Sequence, residues 1–339
     1  MKRLLAVTAT LALLCLGSVA QATISVDTVR VGDPGNVGQL SGEGGAGPRI
    51  CGSVSYSFNI GKYEVTAGQY TAFLNAVAKT DTYGLYNTKM YEDSRGCKIE
   101  RTGTAGDYSY SVASDWANRP VNYVSFWDAC RFANWLCNGQ KSGAQDATTT
   151  ERGAYTLDGF NGAETEYNFI KRNEGWAWAV TSEDEWYKAA YYKGGGTNSG
   201  YWLYPTQSDN TPSNNLTNPD GGNNANFDQD GLTIGNPYYL TEVGEFELSE
   251  SAYGTFDQGG NVWEWNESLF LNSAARGRRG GSFHTSHSHL ASTYRNYGYQ
   301  CLEEYDTGFR VAQAVPEPSS IVTWLGGLAG LIRLKRRKA

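Results

Sequence analysis

Gly259-Gly260-Asn261-Val262-Trp263-Glu264-Trp265 combines a glycine-rich turn with two closely spaced tryptophans in the last third of a 339-residue chain. Glycine and asparagine favour a tight turn, and the tryptophan pair after it indicates a buried corner. The heptapeptide alone is a weak signal. It gains weight from five further segments, which stand on both sides of it: Lys62-Tyr63-Glu64-Val65-Thr66, Arg119-Pro120-Val121-Asn122-Tyr123-Val124-Ser125-Phe126, Thr181-Ser182-Glu183-Asp184-Glu185-Trp186, Arg279-Gly280-Gly281-Ser282-Phe283 and Gly308-Phe309-Arg310-Val311.

The ordered series resembles the formylglycine-generating enzyme (sulfatase-modifying factor) family over nearly the whole of Gly61–Ala312. The resemblance implies that family's fold, an irregular, loop-rich α+β domain related to C-type lectins. The composition agrees with it. The chain has 41 Gly, 23 Tyr and 10 Trp, and only 19% of its residues are charged. Such a composition is typical of turn-rich structure on a small regular scaffold.

Three helices are predicted from their capping residues. The first begins at Thr66 and the second at Ser125, each followed by an apolar stripe. The third begins at Ser182, where Glu185 three residues later completes a capping box. We interpret all three helices as scaffold, because apolar stripes of this kind belong to cores more often than to active sites.

A calcium site is predicted at the glycine-rich turn. Asp257 and Glu264 flank the turn, and two carboxylates with main-chain carbonyls between them suit a hard cation. The family resemblance assigns calcium to Asp257, Gly260, Val262 and Glu264. The alternative is a tight corner without a metal. A second calcium site of the family begins at positions matching Asn226 and Phe227, but its other ligands do not align here.

The chain departs from the family at the segment that follows Gly280-Gly281-Ser282. The family's active enzymes carry there two cysteines that bind copper(I), whereas Phe283–Leu290 contains no cysteine. A soft thiolate pair selects Cu(I), so formylglycine formation is not expected. The chain's 3 histidines, His284, His287 and His289, all stand in this segment. Imidazoles bind transition metals, so they form a speculative metal site, and the alternative is a polar surface loop.

Both ends of the chain carry targeting signals. Residues 1–22 have Lys2 and Arg3, an apolar run and a small-residue cleavage pattern, which predicts a secretory signal peptide. Residues 315–339 contain Pro316-Glu317-Pro318, about twelve apolar residues and a basic cluster. They resemble a PEP-CTERM sorting signal with a short transmembrane segment, shorter than the ~20 residues of a spanning helix. The resemblance implies cleavage by an exosortase. Between the ends we expect a flexible segment, 23–47, and one domain, 48–314.

The net charge limits the possible partners, and the cysteines indicate disulfides. Removing the seven basic residues and one acidic residue of the two ends shifts the net charge from −7 to about −13. An acidic surface argues against nucleic acid, and membrane contact is expected only transiently through the tail. Five cysteines follow the signal peptide, and export favours disulfides among them.

Two functions are compatible with these patterns. The first is an exported protein of the cell surface or extracellular matrix, a non-catalytic, calcium-stabilised binding module for a polysaccharide or protein ligand. The second is a metal-dependent oxidase, either of the formylglycine-generating type or with a metal at the histidine cluster. The sequence contains no G-x-S-x-G motif of serine hydrolases, no P-loop and no H-E-x-x-H motif of zinc proteases.

Overall fold

The computed structural model describes residues 23–162, 169–217, 219 and 221–315. The helices are short: α1 Ala67–Val77, α2 Lys89–Glu92, α3 Ser114–Ala117, α4 Phe126–Cys137 and α5 Glu183–Tyr191, with 3-10 turns at Leu271–Ser273 and His287–Leu290. The strands are β1 Thr28–Val31, β2 Gln39–Ser41, β3 Arg49–Cys51, β4 Phe58–Gly61, β5 Glu100–Thr102, β6 Ser109–Ser111, β7 Trp178–Val180, β8 Trp263–Phe270, β9 Ala275–Arg279, β10 Asn296–Tyr299, β11 Thr307–Gly308 and β12 Val311–Ala314. Long loops connect them, which confirms the irregular, loop-rich α+β fold.

Two four-stranded sheets bring distant parts of the chain together. The first has the order β1-β4-β12-β7, with all neighbours antiparallel. Ala312 of β12 pairs with Ile60 on one side and with Ala179 on the other. The second sheet has the order β10-β9-β8-β11, in which only β11 and β8 are parallel. The glycine-rich turn therefore leads directly into a central strand, β8.

The residues before the expected domain boundary belong to the domain. We expected residues 23–47 to be flexible, but β1 is the edge strand of the first sheet and β2 pairs with β3. The Ser41 hydroxyl donates a 2.7 Å hydrogen bond to the Ser292 carbonyl, so this segment is fixed to the C-terminal part as well. The segment is therefore held in the folded domain by backbone pairing and by the burial of Val31 in a core cluster.

Capping boxes start the three longer helices where the sequence predicts them. The side chains of Thr66, Ser125 and Ser182 each accept a hydrogen bond from the backbone three residues later. Helix α4 differs from its predicted single apolar stripe, since every residue from Phe126 to Leu136 is buried. Its polar residues are satisfied inside the protein. Arg131, for example, binds the Glu151 carboxylate at 2.7 Å.

The largest core cluster surrounds α4. The indoles of Trp127, Trp135 and Trp265 are fully buried there, together with Phe132 and Phe309. The Trp265 indole N–H donates to the Val124 carbonyl at 3.0 Å, which satisfies its one polar atom. The tryptophan that follows the glycine-rich turn therefore ties β8 to the loop before α4.

Buried ion pairs join segments that lie far apart in the sequence. Arg310 and Glu264 form two 2.7 Å hydrogen bonds, and both side chains are at most 1% exposed. Glu183, the first residue of α5, pairs with Arg279 and Arg295 at 2.7 Å each. Burial alone raises the pKa of Glu183, but these two guanidinium groups hold it far below its usual range.

The expected disulfides are not formed by the four cysteines Cys51, Cys97, Cys130 and Cys137, which carry free thiols. Cys51 packs in a cluster with Trp186, whereas Cys97 and Cys130 lie in the largest core cluster. Cys137 bonds instead to the backbone of Trp178. The oxidising compartment that we expected for this chain therefore does not lead to disulfides among these four.

No helix within the described ranges is long and apolar enough to cross a membrane. The predicted signal peptide, 1–22, and the sorting residues Pro316, Glu317 and Pro318 lie outside the described residues.

The Arg310–Glu264 pair predicts a large loss of stability when one partner is removed. In Arg310→Met, the Glu264 carboxylate keeps its burial but loses its cation, which costs about 3–5 kcal/mol. The measurement is the free energy of unfolding in guanidinium chloride. The matched control is Arg152→Met, whose pair with Asp158 is 61% and 51% exposed and should leave the midpoint unchanged. Equal midpoints for both variants would contradict the importance of the buried pair.

Candidate functional site

The turn before β8 depends on backbone conformations that favour glycine. Asp257, Gly260 and Asn261 have φ values of 59°, 88° and 55°. A Cβ atom on Gly260 would lie 2.1 Å from the carbonyl oxygen of Asn226, so the neighbouring backbone at Asn226 leaves no room for a side chain at position 260. The Asn261 amide donates to that same oxygen at 2.8 Å. The turn is therefore fixed against the loop at Asn226.

The turn's two predicted calcium carboxylates have different surroundings. Glu264 is saturated on one oxygen, because its Oε2 accepts 2.7 Å hydrogen bonds from both Trp186 and Arg310. Asp257 accepts a 2.6 Å hydrogen bond from the Gly244 amide. Calcium affinity depends on the number of carboxylate charges available to the ion. The set Asp257, Gly260, Val262 and Glu264 does not fit the ion, since Arg310 supplies the positive charge at Glu264.

Glu64 is a member of this site that the sequence analysis treated only as part of a fold motif. It is 2% exposed, and neither carboxylate oxygen has a hydrogen-bond partner. Burial, followed by the nearby charges of Asp257 and Glu264, raises its pKa well above the usual value. Burial likewise raises the pKa of Asp257 to about 6. One arginine thus faces three carboxyl groups, since the charges of Glu264, Glu64 and Asp257 all act on Arg310.

The second calcium position is only partly formed. Asn226 is buried, its side-chain amide donates to the Tyr239 carbonyl and to Asn261, and its Oδ1 has no partner. The Phe227 carbonyl accepts hydrogen bonds from Asn214 and Thr233. One vacant amide oxygen does not constitute a calcium ligand set, which needs several oxygens including carboxylates.

The three histidines bind three different neighbours. His284 lies between the hydroxyls of Ser282 and Tyr305, at 3.1 and 3.0 Å. The His287 ring is 3.1 Å from the Tyr204 hydroxyl. His289 packs on the rings of Trp263 and Tyr294, and burial lowers its pKa. Among the residues that the structure describes, no three His, Cys, Asp or Glu side chains are grouped as metal ligands.

Asp306 completes the polar cluster at the segment where the family carries its copper cysteines. The buried Ser282 hydroxyl donates to Asp306 at 3.2 Å, and His284 Nδ1 lies 3.7 Å from the same carboxylate. Sequence spacing gave no sign of this, because Asp306 stands more than twenty residues after Ser282. Histidine, serine and carboxylate thus form a hydrogen-bonded network in place of thiols.

A second pair of carboxyl groups lines an open cavity of about 610 Å³. Asp128, the third residue of α4, and Glu303 face it, together with Tyr83, Phe160 and Cys301. Burial, reinforced by the charge of Asp128, raises the pKa of Glu303 to about 8. Burial also raises the pKa of Asp128 to about 6. The sequence analysis missed this pair, because Asp128 has the pattern of an ordinary helix cap.

A family model described as "Sulfatase-modifying factor enzyme 1-like domain" matches residues 26–315. No curated protein matches the chain significantly. Solved structures similar to it include CarF, with 19% identity over 86% of this chain and 99% of that one, at a TM-score of 0.48. Treponema denticola variable protein 1 has 18% identity over 84% and 94%, at a TM-score of 0.47. PvdO from Pseudomonas aeruginosa has 20% identity over 86% and 92%, at a TM-score of 0.43.

The raised carboxyl pKa values predict a loss of stability with increasing pH. The folded state keeps protons that the unfolded chain releases near pH 4.5, so stability falls from there towards pH 8. Glu64→Gln and Glu303→Gln should each raise the melting temperature at pH 8 by a few degrees, where ~1 kcal/mol corresponds to about 2–4 °C. At pH 4 neither should have much effect. The exposed Glu247→Gln serves as control, and equal shifts at both pH values would contradict the prediction.

The ion pair at Glu264 predicts that chelation of calcium leaves the fold intact. We expect the melting temperature of the purified protein to be the same in excess chelator and in millimolar calcium, because Arg310 already pairs with Glu264. Differential scanning calorimetry provides the measurement. A melting temperature that calcium raises, and that Asp257→Asn makes insensitive to calcium, would restore the predicted calcium site.

Proposed function

We propose, from the fact that the chain belongs to the sulfatase-modifying factor enzyme 1-like domain family, that it is an exported, non-catalytic binding module of the cell surface or extracellular matrix. The observation that carries the proposal is the lack of cysteine in Phe283–Leu290, where Ser282, His284 and Asp306 form a hydrogen-bonded network instead. Without a thiolate pair, copper(I) loses its preferred ligands.

The other thiols do not replace the missing pair. Burial raises the pKa of Cys51 and Cys130, and it raises the pKa of Cys97 to about 11. A thiol with such a pKa is protonated at neutral pH and binds metal weakly. Cys137, the last residue of α4, forms hydrogen bonds with the backbone of Trp178. Cys301 lines the cavity of Asp128 and Glu303.

Export and sorting in this proposal rest on the sequence of the two ends. The signal peptide, 1–22, directs the chain through the inner membrane. The segment 315–339 delivers it to an exosortase. The extracellular ligand in this proposal is a polysaccharide or a protein. The proposal does not include calcium, because Glu264 is held by Arg310.

The competing function is a metal-dependent oxidase at the histidine segment. One observation favours it: Asp306 approaches His284, so that an imidazole and a carboxylate stand together. His287 and His289 are turned towards Tyr204 and Trp263, and a site of two ligands binds metal weakly.

Elemental analysis of the secreted protein, purified without added metal, separates the two functions. We expect copper, iron and zinc far below one equivalent, because the histidines have separate partners. Incubation with a cysteine-containing peptide in air should give no aldehyde product by mass spectrometry. Near-stoichiometric metal that is lost in the triple variant His284→Ala, His287→Ala and His289→Ala would overturn the proposal. Circular dichroism of that variant confirms that it still folds.

A further inference from the structure

A cavity of about 420 Å³ opens between the second half of β8 and the loop at residues 170–172. Its volume is in the range of small-ligand sites. Strand β3 contributes Arg49, strand β9 contributes Arg276, and the residue before β10 contributes Arg295. The cavity lies on a different set of residues from the histidine segment, so it is independent of the family's catalytic position.

The lining of this cavity is strongly cationic. Five of its side chains carry a positive charge and one carries a carboxylate: Arg49, Lys171, Arg172, Arg276 and Arg295 against Glu267. The chain as a whole has the opposite sign, with a net charge of −7. A concentration of positive charge in a concave, partly desolvated site focuses the field and attracts anions.

The carboxylates that bind the lining arginines neutralise only part of this charge. Glu183 and Asp184 bind Arg49, and Glu183 is also shared by Arg295 and Arg279. Glu185 and Glu267 both bind Arg172. Among the described residues, five cations therefore face these four carboxylates: Arg49, Lys171, Arg172, Arg279 and Arg295. Burial raises the pKa of Glu267.

Two of the cations have donors that can reach a ligand. The Arg49 side chain is 38% exposed, and its Nε makes no hydrogen bond to any described residue. Lys171 is exposed and forms no ion pair within the described part of the chain. A guanidinium edge and a mobile ammonium are the groups that bind carboxylate and sulfate oxygens. The buried arginines hold these groups in place and add to the field.

We propose that this cavity binds an oxyanion, a carboxylate or a sulfate group. The inference builds on the proposed binding role and names the chemical class of its ligand. The acidic remainder of the surface repels extended polyanions, so the cavity selects one anionic group at a time. Tyr155 and Ser268 also line it, but their hydroxyls donate to Glu267 and Glu183, so the cations are the groups that meet the ligand.

Isothermal titration of the full secreted chain with glucuronate, inorganic sulfate and glucose tests the site. We expect glucuronate to bind, with an affinity that falls as salt rises, and glucose not to bind. Sulfate binding equal to that of glucuronate shows that the site accepts either oxyanion, whereas weaker sulfate binding shows that it prefers a carboxylate. Both results support the cavity as an oxyanion site.

Two variants locate the binding. Lys171→Glu and Arg49→Gln should each weaken glucuronate binding at least tenfold, whereas Lys141→Glu, an exposed lysine outside the cavity, should not weaken it beyond a small salt-dependent change. Thermal melts of all three variants establish that they fold. Absence of binding by any anion, or equal weakening by Lys171→Glu and Lys141→Glu, would overturn the inference. Neither result affects the binding-module proposal, which fails only if a redox metal or an oxidase product is found.

Discussion

The structure depends on the rule that a charge removed from water needs a partner of opposite charge. Glu264 and Glu183 are buried among aromatic rings, and each is held by arginines from distant segments. Arg310 reaches Glu264 across 46 residues of sequence, and Arg295 reaches Glu183 across 112. With few regular elements and many loops, these pairs fix the relative positions of α5, β8 and the C-terminal strands. Replacing Arg310 leaves the buried Glu264 carboxylate without its cation, whereas Glu183 keeps two of its three arginines when one is replaced.

The same constraint determines the chemistry of the site. Arg310 forms an ion pair with Glu264, one of the three carboxyl groups near it, and burial raises the pKa of the other two, Glu64 and Asp257. A similar surplus, of the opposite sign, occurs around Glu183, where arginines outnumber carboxylates. The protein thus contains one region that is short of positive charge and one that has too much. Those two regions, rather than the histidines, carry its most unusual electrostatics.

Local signals predicted the helix starts, whereas long-range contacts escaped prediction. Ser182 and Glu185 form the predicted capping box because that motif lies within four residues. The family resemblance supplied the fold, but not which carboxylate each arginine would bind. Glu64 lacks any sequence feature that distinguishes an orphaned carboxyl from a solvated one, and Asp306 approaches His284 only through tertiary packing. The pair that Arg310 forms with Glu264 escaped prediction for the same reason, since Arg310 lies 46 residues beyond Glu264.

Strand β12 lies between β4 and β7 and comes from the end of the domain. β4 pairs with β1 on one side, but its other neighbour, β12, follows about 250 residues later, so the first sheet has no continuous middle until Val311–Ala314 have been synthesised. A chain that still lacks this strand leaves one edge of β4 and both edges of β7 unpaired. The first sheet is therefore completed by the last strand of the domain, so a chain that stops short of that strand cannot complete it.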